Sequence, residues 1–338
     1  MARPYVKLVV GVLLLVPPHV LGGQSVRHAP TPSEAALAAG RLDELEASLY
    51  EASRRAPRDP AARTALGAYL AARGQLRIGA VLLEEARQFD GDARAIDERL
   101  LHICAWTGVY DLGVAVPGAA HVSAPQRAQL LYLSQNPQRL ASPESVVVRL
   151  EPHETAGLGR VDIDVGGVRL AADIDPTIEG VVLPSSAEVL QGVRAFGSEE
   201  NETFAVAHAL AIGAMRLQNV AVRLLPEATA RIGLDVIGRL RPTFAPLART
   251  LTLHANPVAT ARGGVAAPAR GAAAGGSPAS DGGVEPGDMP VLLGFPGIRI
   301  VTRTGSPPVA LESAAGRAAL RGTRWTLDLR RGVVSIAR

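Results

Sequence analysis

Lysine is nearly absent from this chain: Lys7 is the only one in 338 residues, and arginine carries the rest of the positive charge. The arginines are scattered and the formal net charge is +3, so the concentrated basic face that nucleic acid requires is missing and nucleic acid is not an expected partner. Abundant alanine, glycine and proline trace the replacement of lysine by arginine to genomic base composition. Cysteine is as scarce. Cys104 stands alone in the apolar helical segment LLHICAW, which excludes an intramolecular disulfide and points to a small buried hydrophobe, not a nucleophile. Several common chemistries each fail at one residue. His153-Glu154 has no histidine at helical spacing behind it, Gly157-Leu158-Gly159 lacks the third glycine of a dinucleotide loop, and no lysine is left for a phosphate loop. No cofactor and no metal site is therefore expected. Asn201-Glu202-Thr203 spells a glycosylation sequon of the kind that arises by chance, and His208 and His254 fall on expected strands as core or surface residues.

A long hydrophobic run is missing too. The apolar stretch LVVGVLLLV at residues 8–16 is too short for a comfortable transmembrane helix. It follows Arg3 and Lys7 and precedes Pro17-Pro18 and Gly22-Gly23, the layout of a signal peptide over residues 1–24. The protein is accordingly expected to be exported, to the periplasm or beyond. Proline where an A-x-A motif would stand leaves a second reading open, an uncleaved anchor through residues 8–16, and only then would the chain touch a membrane.

The length leaves room for two or three domains. Gly40-Arg41-Leu42, Gly74-Gln75-Leu76 and Gly108-Val109-Tyr110 recur every 34 residues, the length of a tetratricopeptide repeat, and each glycine is placed at a turn between two helices. Leu66, Gly67 and Leu70 mark the first helix of the second copy, with Leu83 and Ala86 on its second; Leu49, Ala52 and Pro57 hold the corresponding places in the first copy. The third copy breaks at Gly113 and Pro117. Residues 33–140 are thus expected to form a short helical-repeat domain. So few repeats do not close a core, and a helix over 125–136, with Leu130, Leu131 and Leu133, is the expected cap. Its surface either receives a peptide or partner, or serves packing and dimerisation alone.

The pattern then changes to period two. In RVDIDVGGVRLAADIDPTIEGVVL (residues 160–183), two alternating arms flank Gly166-Gly167, which supply the positive φ of a tight hairpin turn. Asp162 and Asp164 lie two apart on one polar face, where solvation explains them better than calcium, since no loop of oxygen ligands follows. Asp173 and Asp175 are spaced alike, and are either a carboxylate pair within one chain or solvated surface.

With the arms LAIGAMRLQNVAVRLLP (residues 210–226), the run Ile232-Gly233-Leu234-Asp235-Val236-Ile237, a short helix and the strand Thr250-Leu251-Thr252-Leu253, residues 145–254 resemble the retropepsin-like aspartic peptidase family. The fold class expected is multidomain α + β: a short TPR-like α-helical repeat domain followed by an all-β retropepsin-like (acid-protease) domain. The resemblance places Asp175 as the catalytic carboxylate and Asp235 as structural. It also implies that activity needs a homodimer, each chain giving one aspartate of a proton-sharing pair. The family's Asp-Thr-Gly is here Asp175-Pro176-Thr177. Proline has neither the hydroxyl that ties the two loops nor a backbone N–H, and Thr177 puts a β-branched side chain where glycine admits close approach. A non-catalytic protein that binds an extended peptide or protein partner by main-chain hydrogen bonds is the expected function, with a dimeric aspartic endopeptidase using Asp175 and a purely structural assembly protein as alternatives.

Residues 255–289, dominated by Gly, Ala, Pro and Ser, read as a flexible linker. Strand patterns return over 290–338 in VLLGF, IRIVTR, VALES, RWTLDL and VVSIA. TRWTLDLRRGVVSI lines up with PTFAPLARTLTL (residues 242–253), as a displaced hairpin that completes the β domain or as the remnant of a second lobe. Export through a cleaved leader predicts that intact-mass measurement of the exported protein will find a chain lacking roughly its first two dozen residues. Met1 or Ala2 retained in membrane-bound material would instead establish an anchor.

Overall fold

The computed structural model describes residues 32–111, 122–141, 144–152, 158–226, 228–255, 288–293, 298–302, 306–311, 313–320, 322–329 and 331–337. The expected signal peptide, the repeat breakers Gly113 and Pro117, His153-Glu154 and almost all of the linker lie outside them. No described helix is long and apolar enough to cross a membrane.

Helices come first: α1 (Pro32–Ala38), α2 (Leu42–Arg55), α3 (Pro60–Ala72), α4 (Leu76–Gln88), α5 (Ala93–Thr107) and α6 (Ala124–Gln135). Their ends follow from local chemistry. Asp59 accepts the Ala61 N–H at 2.9 Å with Pro60 next in the first turn, and Asp92 and Ser123 cap α5 and α6 in the same way. Gly40, Gly74 and Gly108 all take φ between 63° and 83°; Gly40 turns the chain from α1 to α2 and Gly74 from α3 to α4, while Gly108 ends α5 and the residues from 112 to 121 lie outside those described. α3 and α4 cross at Gly67 and Gly79, so closely that a Cβ on Gly79 would lie 2.7 Å from the Gly67 carbonyl oxygen. Cys104 is fully buried in α5. The expected cap, α6, buries Leu130 and Leu133 but leaves Leu131 47% exposed. It shares an apolar cluster with Leu83 of α4 and Leu100 and Ile103 of α5, and it reaches the sheet, for the Gln129 amide donates to the carbonyls of Ala205 (2.6 Å) and Val222 (3.1 Å).

Two sheets follow. The first holds β1 (Arg139–Ala141), β3 (Arg160–Val165), β4 (Val168–Ile174), β5 (Val181–Pro184), β6 (Val193–Glu199), β7 (Glu202–Ile212), β8 (Met215–Leu225) and β9 (Arg231–Ile232), in the order β1-β8-β5-β9-β4-β3-β7-β6. An additional β7–β8 pairing closes its centre into a barrel. Gly166 and Gly167, at φ 61° and 97°, make the β3–β4 turn, and Asp164 caps it by accepting the Gly167 N–H at 2.9 Å. Short helices α7 (Ala187–Gln191) and α8 (Leu234–Gly238) interrupt the strands; α8 starts at Leu234, inside the run after which a helix was expected.

The second sheet joins β2 (Ser145–Arg149), β10 (Thr243–Ala245) and β11 (Thr250–His254) to β12 (Asp288–Leu293), β13 (Ile298–Ile300), β14 (Val309–Ala310), β15 (Arg324–Asp328) and β16 (Val333–Ala337), in the order β14-β13-β12-β16-β15-β10-β11-β2. Helix α9 (Ala314–Leu320) corrects the all-strand reading of the C-terminal segment. Its start is fixed by Ser313, which accepts the Gly316 N–H at 3.0 Å, and an alanine-rich stretch has no periodicity to announce it. One apolar core spans both sheets, from Val161 and Leu183 to Leu251, Trp325 and Val334.

The α3–α4 turn is pressed on the C-terminal hairpin. A Cβ at Gly74 would lie 2.3 Å from the Leu329 carbonyl oxygen, and one at Gly332 would lie 2.5 Å from that of Arg73. Gly74→Ala therefore combines left-handed strain with a backbone clash. We expect it to cost on the order of 2 kcal/mol, read as a lower thermal unfolding midpoint, whereas Gly167→Ala, whose Cβ would meet nothing within 4 Å, should bear the strain alone and cost less.

Candidate functional site

Two parallel pairings in an otherwise antiparallel barrel, β4 with β9 and β5 with β8, bring the Asp175 loop and the Asp235 turn together. The Asp175 N–H donates to the Ile232 carbonyl at 3.0 Å, and the Gly233 N–H to that of Gly180 at 2.8 Å. Within this frame Asp175 is buried. Its Oδ1 accepts both the backbone N–H (2.9 Å) and the hydroxyl (2.6 Å) of Thr177, a turn that aspartate makes readily with its own backbone, and its Oδ2 lies 3.3 Å from Arg231 Nη1. Thr177 was expected to crowd this place; it binds the carboxylate instead. Pro176 stands between them without a donor.

Asp173 and Asp175 are neither a mutual pair nor solvated surface. Asp173 accepts from Arg160 at 2.7 Å while Asp175 faces Arg231, and both aspartates are buried. Each carboxylate faces an arginine, the pairing that offsets the cost of burying it. Asp162 is exposed, as solvation of that arm requires.

Asp235 behaves differently. It is 2% exposed and receives the Gly180 N–H on both carboxylate oxygens, at 2.9 and 3.0 Å. Its dry surroundings push its pKa up to about 7, against the opposing pull of Arg239, and Glu179 adds to the rise. This carboxyl ties the loop to α8, the structural place expected for it.

Beyond the loop lies a cavity of about 710 Å³. Residues 177–182 form one wall, β7 and β8 supply Phe204, Val220 and Val222, and the other wall is helical, from Leu101, His102 and Ala105 of α5 to Gln129 and Leu130 of α6. His102 Nδ1 lies 2.6 Å from Glu179 Oε1, and Arg223 donates to the Glu179 carbonyl at 3.1 Å while pairing with Glu202 at 3.2 Å. Sequence reasoning missed His102, Glu179, Gln129 and Arg231, because each finds its partner in a distant segment and no spacing links them. Among the described residues no three His, Cys, Asp or Glu side chains gather as a metal site would need.

No family model matches this chain, and no curated protein does. Among solved structures, a crystal structure of a retropepsin-like aspartic protease from Rickettsia conorii is similar to it at 10% sequence identity, covering 34% of this chain and 90% of that chain, with a TM-score of 0.26.

The Asp235 carboxyl makes the pH dependence of stability testable. Its folded-state pKa is raised, so between the unfolded value near 4 and about 7 the folded form holds a proton that the unfolded form has released, and stability falls as pH rises through that window. The decline is of the order of 1 kcal/mol per pH unit. Chemical denaturation from pH 4 to 8 should show a flatter slope for Asp235→Asn than for the parent chain; equal slopes would refute the assignment.

Proposed function

We propose that this chain is an exported, non-catalytic protein with a retropepsin-like β domain, which holds an extended peptide or protein partner in the cavity between that domain and α5 and α6. The observation that carries the non-catalytic reading is the engagement of Asp175 inside its own loop. Water activation by a carboxylate dyad needs two acids sharing a proton. Here Oδ1 is taken by the N–H and hydroxyl of Thr177 and Oδ2 lies 3.3 Å from Arg231, so both oxygens are already engaged within the chain. The retropepsin-like reading of the barrel draws on the order of the hairpin, aspartate loop and Asp235 turn and on the crossing of β4 with β9 and β5 with β8. The partner reading draws on the cavity, with apolar walls at Leu101, Ile178 and Phe204 and polar groups at His102, Glu179 and Arg223 converging on it. The period-34 hairpins are read as tetratricopeptide-like, and export rests on the leader-like N-terminus.

Purified protein should cleave no peptide between about pH 3 and 7, the range in which a shared-proton dyad titrates. Replacing Pro176→Thr and Thr177→Gly together is the change most able to restore turnover. Cleavage by the unaltered chain that vanishes in Asp175→Asn with folding unchanged would sink the non-catalytic reading and establish the dimeric endopeptidase. For the binding half, peptides selected from a random display library should lose affinity at least tenfold for Ala105→Phe, which narrows the cavity from the α5 side; peptides bound equally by both chains would place the contact elsewhere.

A further inference from the structure

The hairpins β10–β11 and β15–β16 are the same structure twice. Thr243 pairs with Thr252 in the first and Thr326 with Ser335 in the second, so one shift of 83 positions carries both strands of the first hairpin onto the second. The same shift carries Arg249, at φ 51°, onto Gly332, at φ 61°, in the two turns. The repetition extends to the neighbouring strands. Thr250 with Arg149 on β2 recurs as Val333 with Pro290 on β12, and the bond from the Leu150 N–H to the Arg249 carbonyl recurs from Val291 to Gly332, at 2.9 Å in both. The bridge Glu151–Arg160 recurs as Leu292–Arg299, and Arg160–Asp173 as Arg299–Ala310. The Ile174 N–H donates to the Gly159 carbonyl, and the Leu311 N–H to that of Ile298, both at 2.8 Å. In the sequence an acid follows each: Asp175 after Ile174, and Glu312, which lies outside the described residues, after Leu311. Then the copies part. The first builds β5 to β9 before reaching α8, whereas the second enters α9 at Ala314.

The two copies meet across β10 and β15, antiparallel, with Thr243 opposite Thr326 and their hydroxyls 2.7 Å apart. Since the shift of 83 maps one of these threonines on the other, a local two-fold axis passes between them. Phe244 stacks on Trp325 beside it, centroids 4.1 Å apart and planes 14° from parallel. Without β15, β10 would be an unpaired edge, the surface on which a second copy of this chain would add by the same antiparallel pairing. We infer that residues 288–337 are a shortened second copy of the β domain, and that they fill this two-fold surface within one chain, so that the protein carries its own partner there and a second molecule does not dock on β10.

Thr243→Cys with Thr326→Cys in the full chain tests this, since directly paired strand positions are within disulfide reach and the native Cys104 is buried out of competition. Mild oxidation should give a disulfide within one chain, seen on non-reducing analysis as a monomer that has lost two hydrogens and whose introduced thiols no longer react with an alkylating reagent. A disulfide joining two chains, or a folded chain that stays reduced, would overturn the inference. Should the cysteines impair folding, a protease site introduced between residues 256 and 287 gives an independent answer: after cleavage the two pieces should migrate together at one to one, and their separation under native conditions would overturn it. Both readouts are independent of peptide binding and of cleavage, so either can fail while the proposed function stands.

Discussion

The crossing of two parallel strand pairs inside an antiparallel barrel is the constraint on which the site depends. β4 ends beside β9 and β5 begins beside it on the other edge, so the six residues between β4 and β5 must turn back within a space bounded by main-chain bonds to Ile232 and Gly233. Asp175 and Pro176 are buried here, where a backbone group has no water to fall back on, and the Asp175 N–H finds its fixed partner in the Ile232 carbonyl. Gly180, at φ 71°, turns its N–H onto Asp235, and that single group links the loop to the helix behind it. The position of Thr177 relative to Asp175 is a consequence of the same closure.

What local chemistry dictates was legible in the letters. The Gly166-Gly167 turn, the long β7 and β8 arms around Gly213 and the left-handed turns at Gly40, Gly74 and Gly108 depend on neighbours a few positions away, where period and backbone freedom decide the outcome. The burial of Cys104 and of Leu83 and Ala86 followed from the same periodicity. Pairings across the fold were not legible. Nothing in the sequence joins Arg231 to Asp175 or His102 to Glu179, and an alternating strand presents an arginine outward or inward according to which sheet it enters. The Asp175 loop was therefore read only in part: the loss of a threonine and a glycine was visible, and the arginine and the Thr177 hydroxyl that reach the carboxylate were not.

The helices are more than an appendage to the barrel. Gln129 satisfies two carbonyls of β7 and β8 from outside the sheet, and Trp106 packs against Gly238 of α8. Phe196 of β6 meets Tyr132 of α6 with centroids 5.4 Å apart. Such contacts fix α5 and α6 over the loop, so the shape of the cavity is set jointly by segments that the sequence presents as separate modules.

The second sheet also shapes how the chain reaches its folded state. Its central pairings join β2 to β11 and β10 to β15, segments far apart in sequence, with the whole first barrel or a long connecting stretch between them. Loop closure must be completed before such contacts stabilise anything, which makes sheets of this topology slow to form and leaves their edges exposed meanwhile. During synthesis β10 and β11 emerge well before β15. The hairpin Thr243–His254 must therefore wait for β15, and in that interval the unpaired side of β10 is a template on which a strand of another nascent molecule can add.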